Sequence, residues 1–216
     1  MSDIHEYKGA GITVRFDAKR CIHSGECVRG APEVFNPDAK PWVQPEKGAA
    51  QKIMAVVAAC PSGALSVVGA DGGRTEPARA ANEARIAADG PVYLTGEIEV
   101  CDGEGKTVLR DTRIAFCRCG ASRNKPYCDN SHKGSGFKDD GTCAAPSLNA
   151  VGSGPLKLTV FPGGPAQVDG PLTLLDAFGE PVYRGEQTWL CRCGASKNKP
   201  FCDGSHWDVG FRDAVG

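Results

Sequence analysis

Apolar and polar positions alternate with a period of two over residues 11–16, GITVRF, which predicts a strand near the amino terminus. Between residues 49 and 59 the pattern changes. Ile53, Met54, Val56 and Val57 recur at helical spacing, which predicts a helix. Residues 92–100 alternate in part, Asp102-Gly-Glu-Gly105 supplies a turn, and residues 107–116 run back, which predicts a hairpin. The same order returns at residues 171–175, a turn near Gly179, and residues 182–190. Residues 141–165 are rich in Gly, Pro and Ser and read as a connector with one strand, 156–161. Residues 69–73 form a break, and Thr75 followed by Pro77 predicts a cap for an alanine-rich spacer helix ending near Ala88.

Composition narrows the class. The chain has 216 residues, 41% hydrophobic and 24% charged, as in ordinary globular proteins. Lys plus Arg number 25 and Asp plus Glu 26, a net charge of −1 that argues against nucleic acid or an anionic membrane as partner. No apolar run follows the polar start, so no signal peptide is expected, and the apolar stretch 53–60 is far short of the roughly 20 residues a membrane helix needs. The expected location is the cytoplasm. The 28 glycines, 15 prolines and 7% aromatic content predict a loop-rich chain with a modest core. Eleven cysteines cannot all pair, and structural disulfides are rare in a reducing compartment, so the thiols point to metal ligation.

An internal repeat supports this. Residues 117–132 read CRCGASRNKPYCDNSH and residues 191–206 read CRCGASKNKPFCDGSH, with only three of sixteen positions different. The copies start 74 residues apart, and each is followed by a Gly-Phe-basic-Asp tail ending at Asp139 or Asp213. Each offers Cys-x-Cys-x8-Cys-x3-His: Cys117, Cys119, Cys128 and His132, then Cys191, Cys193, Cys202 and His206. The last two ligands lie four residues apart, on one face if a helical turn starts there, and Asp129 and Asp203 are placed to cap that turn. Asn130 stands where the second copy has Gly204, and both residue types tolerate a left-handed backbone. Basic residues Arg118, Arg123, Lys125, Lys133, Arg192, Lys197 and Lys199 read as a solvated surface offsetting thiolate charge, or more sharply as a docking patch for an acidic redox partner.

These residues resemble the CDGSH iron–sulfur domain of the NEET proteins. The resemblance implies one [2Fe–2S] cluster per copy, with Cys117 and Cys119 on one iron and Cys128 and His132 on the other. In the second copy the pairs are Cys191 with Cys193 and Cys202 with His206. Replacing one thiolate by imidazole removes a negative charge, which raises the reduction potential and makes the cluster pH-sensitive. A Cys3His zinc site uses the same ligand types, although zinc sites usually pair cysteines as Cys-x2-4-Cys. NEET proteins pair two single-motif chains about a two-fold axis, so two motifs in one chain imply an internal pseudo-dimer.

The amino-terminal unit carries Cys21-x5-Cys27 and a distant Cys60-Pro, with Ala31-Pro-Glu-Val-Phe35 and Lys40-Pro-Trp42 between them. This resembles the divergent single-cluster ferredoxin domain often joined to CDGSH modules. A complete motif would have a third cysteine where Ser24 stands. Cys21, Cys27 and Cys60 therefore suit a [3Fe–4S] cluster, or a [4Fe–4S] cluster whose fourth iron is held by His23, Ser24 or solvent. Cys101 and Cys143 belong to no motif and read as inert. The tryptophans Trp42, Trp189 and Trp207 read as packing residues.

The sequence thus predicts an α+β protein: residues 1–68 a mono-cluster ferredoxin-like domain, 69–89 a linker and spacer helix, 90–140 the first CDGSH module, and 141–216 the connector and second module. The expected activity is one-electron transfer by a monomer with internal two-fold symmetry, partnered by a redox protein. A cluster donor or redox and pH sensor serving an apo-acceptor is the alternative, and a zinc-stabilised interaction protein a second one. No phosphate loop, dinucleotide fingerprint or nucleophile–base arrangement marks an enzyme.

Overall fold

The computed structural model describes residues 3–9, 11–69, 73, 75, 76, 79 and 81–213. The chain divides into two compact units, Met1–Pro77 and Ala78–Gly216. Among the described residues strands dominate and helices are few, the longest having nine residues. Among the described residues no helix is long and apolar enough to cross a membrane.

In the first unit β1 (Ile4–Lys8), β2 (Ile12–Asp17) and β3 (Leu65–Gly69) form an antiparallel sheet in that order. Two helices lie between β2 and β3: α1 (Glu26–Gly30) and α2 (Ala50–Ala58). The apolar spacing along α2 buries Ile53 and Val57 with Val14, Val34, Phe35, Val43, Leu65 and Val67. Trp42 packs edge-on to Phe16 at 4.9 Å between ring centres.

The second unit is a seven-stranded sheet built on two long hairpins: β5 (Val92–Cys101) with β6 (Thr107–Phe116), and β9 (Ala166–Leu175) with β10 (Pro181–Leu190). Two short strands, β4 (Glu83–Ile86) and β8 (Leu156–Val160), join them, and β7 (Ser147–Leu148) lies parallel to β10. Ala84 of β4 pairs antiparallel with Leu94 and parallel with Leu174. Leu158 of β8 pairs antiparallel with Val168 and parallel with Val100. Each short strand therefore pairs with its own hairpin and with the other, in registers that differ by the same 74 residues as the motifs. One core results, with Leu94, Ile98, Ile114, Phe116, Leu158, Val168, Leu174 and Leu190 from both copies.

The spacer helix is corrected. Glu83–Ile86 is a strand, with Ala84 and Ile86 buried and Glu83 and Arg85 exposed. Alanine content favours a helix only weakly, and two-sided pairing with β5 and β9 overrides it. Pro77, placed in the expected cap, lies outside the described residues.

Candidate metal centres

β6 and β10 end where the motifs begin, delivering Cys117 and Cys191 from the sheet. The chain then loops and returns beside itself. Tyr127 bridges Phe116, and the Cys117 N–H donates to the Pro126 carbonyl at 2.9 Å while the Cys128 N–H donates to that of Ala115 at 2.8 Å. Phe201, Leu190, Cys191 and Cys202 repeat this pairing. It places the third cysteine next to the first two.

Inside the loop the Ser122 hydroxyl donates to the Tyr127 carbonyl at 2.6 Å and accepts from the Asn124 N–H at 3.0 Å. Ser196 does the same with Phe201 and Asn198. Asp129 accepts the N–H groups of Arg123 and Ser131, and Asp203 those of Lys197 and Ser205, so each carboxylate joins the loop to the histidine turn. Those turns, Ser131–Lys133 and α3 (Ser205–Asp208), each follow a left-handed residue, Asn130 at φ 71° and Gly204 at φ 91°. The Asn-for-Gly exchange is thus accommodated.

The candidate ligands meet in pairs. Cys117 Sγ is 3.6 Å from Cys119 Sγ, and Cys128 Sγ is 3.5 Å from His132 Nδ1. In the second copy Cys191 and Cys193 are 3.6 Å apart, and Cys202 Sγ lies 3.4 Å from His206 Nδ1. A tetrahedral metal with bonds of about 2.3 Å to sulfur and about 2.0–2.1 Å to nitrogen sets its donors about 3.8 Å (S···S) and about 3.6 Å (S···N) apart. Both pairs in each copy fit that bite, so the donor sets suit bound metal. Among the described residues no group of three or more His, Cys, Asp or Glu surrounds a single metal position. In the first copy all four ligands border one small recess together with Arg118.

Electrostatics separate the thiols. Cys117 and Cys119 share a hydrogen bond, which lowers the Cys119 pKa to about 6 and raises that of Cys117. Burial pushes Cys128 up to about 11 and also raises Cys191 and Cys202. A nearby cation such as a metal favours the thiolate form that this burial disfavours. Burial also lowers the His132 pKa, keeping its ring in the neutral form that ligates.

In the first unit Cys21, Cys27 and Cys60 line one cavity of about 600 Å³. Cys27 sits on α1, Cys60 follows α2, and the apolar wall includes Phe16, Val28, Trp42 and Leu65. His23 and Ser24 border the same cavity, and His23 Nδ1 lies 3.9 Å from Cys21 Sγ on a left-handed backbone, φ 52°. Burial raises the pKa of Cys21 and Cys27, with the nearby Cys60 thiol adding to it. Three soft donors on one apolar cavity suit a polynuclear centre.

Several residues differ from the sequence reading. Arg118 and Arg192 are buried rather than solvated, because each guanidinium is held by an aspartate from the tail after its motif. Trp207 is 74% exposed and lies 4.9 Å from the His206 ring, so it is not a core residue. Gly120 and Gly194 make close backbone contacts that no spacing announced.

Comparison with known proteins agrees with this division. Residues 7–70 match the divergent 4Fe-4S mono-cluster family, and residues 89–133 and 163–207 each match the iron-binding zinc finger of CDGSH type. Over 59 residues the chain is 44% identical to the uncharacterized protein YjdI of Escherichia coli (strain K12), a stretch covering 27% of this chain and 78% of that protein. The YjdI protein of Escherichia coli O157:H7 matches to the same extent.

Proposed function

This chain belongs to the CDGSH-type iron-binding proteins, with a divergent 4Fe-4S mono-cluster domain ahead of its two CDGSH copies, and on that premise we propose that it carries single electrons. Each copy holds one [2Fe–2S] cluster on three cysteines and a histidine. The observation that carries this reading is the arrangement of donors as two pairs per copy, each at the bite of one metal. A mononuclear zinc site would need all four donors around one point, and no such group occurs among the described residues. The amino-terminal cysteines hold a third cluster, [3Fe–4S] or [4Fe–4S], with His23, Ser24 or solvent at any fourth iron.

When bound, each cluster takes up and releases one electron. The protein's own part is to keep the ligands fixed, exclude water and set the local charge. One neutral imidazole in place of a thiolate biases a cluster toward the reduced state. The 74-residue offset shared by motifs and strand registers supports an internal pseudo-dimer, and a native mass of a single chain is its expected signature. The partner is a redox protein, met by exposed Arg123, Lys133 and Lys197 beside the motifs.

Cluster delivery to an apo-acceptor is the second reading. It is favoured by the half-buried Cys119 and Cys193, which open onto one shared cleft of about 450 Å³.

The test is the visible spectrum of anaerobically purified protein, with iron, sulfide and zinc measured on the same sample. A red-brown protein with about seven or eight irons per chain supports three filled sites, and about four leaves the CDGSH pair alone. A colourless protein with stoichiometric zinc overturns the proposal.

A further inference from the structure

The tails after the two motifs have a structural destination. Arg118 stands between two ligands, Cys117 and Cys119, and its side chain is 1% exposed. Its Nε donates to the Gly90 carbonyl and its Nη2 to the Ala87 carbonyl, both at 2.7 Å, and Nη1 pairs with Asp139. The Phe137 ring lies 5.1 Å from the guanidinium. Thus Phe137 and Asp139 of the Gly-Phe-basic-Asp tail both serve the arginine.

The second copy repeats every contact 74 residues on. Arg192 donates to the carbonyls of Phe161 and Gly164 at 2.8 and 3.1 Å, pairs with Asp213, and has the Phe211 ring 5.6 Å away. Two buried guanidinium–carboxylate pairs therefore stand next to the two ligand sets. Burying a charge is costly, and a hydrophobic pair of the same size would often be as stable. The retention of a cation between the ligands points to electrostatics at the cluster.

Resting on the [2Fe–2S] reading above, we propose that Arg118 and Arg192 are positioning residues whose fixed positive charge raises the reduction potential of the adjacent cluster, and that Asp139 and Asp213 set how much of that charge the cluster feels. A guanidinium stays protonated at all working pH values. Reduction adds one electron, hence one negative charge, to the cluster. A buried cation nearby favours that state, because the interaction is screened less than in water. Arg118 borders the recess formed by Cys117, Cys119, Cys128 and His132, and its positive charge is felt at the His132 ring. Lys199 of the second copy lies 4.0 Å from the other oxygen of Asp139, so removing that carboxylate frees two cations at once.

A clamp that only holds the loop and an electrostatic pair predict different signs. The experiment is an anaerobic titration with dithionite, followed by absorption and electron paramagnetic resonance, on the full chain and on R118Q, D139N, R118K and the double variant R118Q/D139N. R118Q lowers one midpoint potential, D139N raises the same one, the double variant returns toward the parent value, and R118K keeps it. In each case the adjacent cluster shifts more than the other, and R192Q and D213N reverse that order. Both single variants melt earlier than the parent, as loss of either partner requires. The proposal is overturned if R118Q and D139N shift the potential the same way, or if clusters load fully and neither shifts it. If R118Q cannot hold its cluster, D139N decides alone: a rise supports the proposal, and no shift or a fall overturns it. A parent chain without iron and sulfide overturns the cluster reading itself, an outcome distinct from a loaded protein with the wrong signs.

Discussion

The α-carbon of Gly120 packs against the carbonyl oxygen of Cys193, so closely that a methyl group on Gly120 would stand 2.4 Å from that oxygen. The contact is reciprocal, since a methyl on Gly194 would lie 2.7 Å from the Cys119 carbonyl oxygen. Each glycine follows a ligand of its own copy and touches a ligand of the other. Both also have positive φ, 77° and 81°. Gly120→Ala therefore meets rigid backbone and a left-handed conformation together, at a cost of about 2–4 kcal/mol. The measurable outcome is a lower denaturation midpoint with loss of visible absorbance from both clusters. Loss confined to one cluster contradicts the shared contact.

Asn82 joins the two copies through its side chain. Its amide donates to the carbonyls of Gly154 and Pro171 at 2.8 and 2.9 Å, and its oxygen accepts the Glu97 N–H at 3.0 Å. Asn82→Ala strands three backbone groups at the crossing of the two hairpins and costs about 2–3 kcal/mol. Urea unfolding measures it, with an unchanged slope expected.

His132→Cys and His206→Cys should each keep a cluster, lower its potential and flatten its pH dependence. A thiolate adds a negative charge and removes a protonatable ring. Potentials measured between pH 6 and 9 decide this. An unchanged slope in both variants excludes histidine ligation.

The sign of the acid response follows from burial. Burial holds the His132 pKa below its ordinary 6.5, so the unfolded chain binds a proton before the folded chain does. That contribution is intact above the ordinary value and declines as pH falls through it toward the folded value. Ligation adds in the same direction. The parent therefore loses more stability than His132→Gln between pH 7.5 and 5.5, as read by denaturant unfolding.

Cys60→Ala removes one wall of the cavity that Cys21 and Cys27 share, while the second unit keeps its own core and all eight of its ligands. The spectral signal of the amino-terminal centre disappears and the CDGSH signals persist. Iron analysis on the same sample gives a drop of about three or four atoms.

The strands at residues 12–17, 107–116 and 156–160 and the helix at 50–58 were legible, because local periodicity encodes them, and the repeated motif announced two like loops. The strand at 83–86 was not, because its pairing partners lie on two hairpins and its composition favours a helix. Arg118 and Arg192 looked solvated because sequence shows the charges but not that the aspartate 21 residues on folds back to pair with each arginine and lets it be buried.

Sequence alone determined which sulfur and imidazole donors the chain offers and that its motifs come as two copies plus one, since residue identity and spacing are covalent properties of the chain. Tertiary structure decided the rest. It grouped each ligand set into pairs by folding Cys128 and Cys202 back onto the strand ends, and brought Gly120 against Cys193 by crossing two short strands between the hairpins. It also turned two apparent surface arginines into buried cations beside the ligands. These are contacts between residues far apart in the chain, fixed only when burial of a common core makes ordering both copies together favourable.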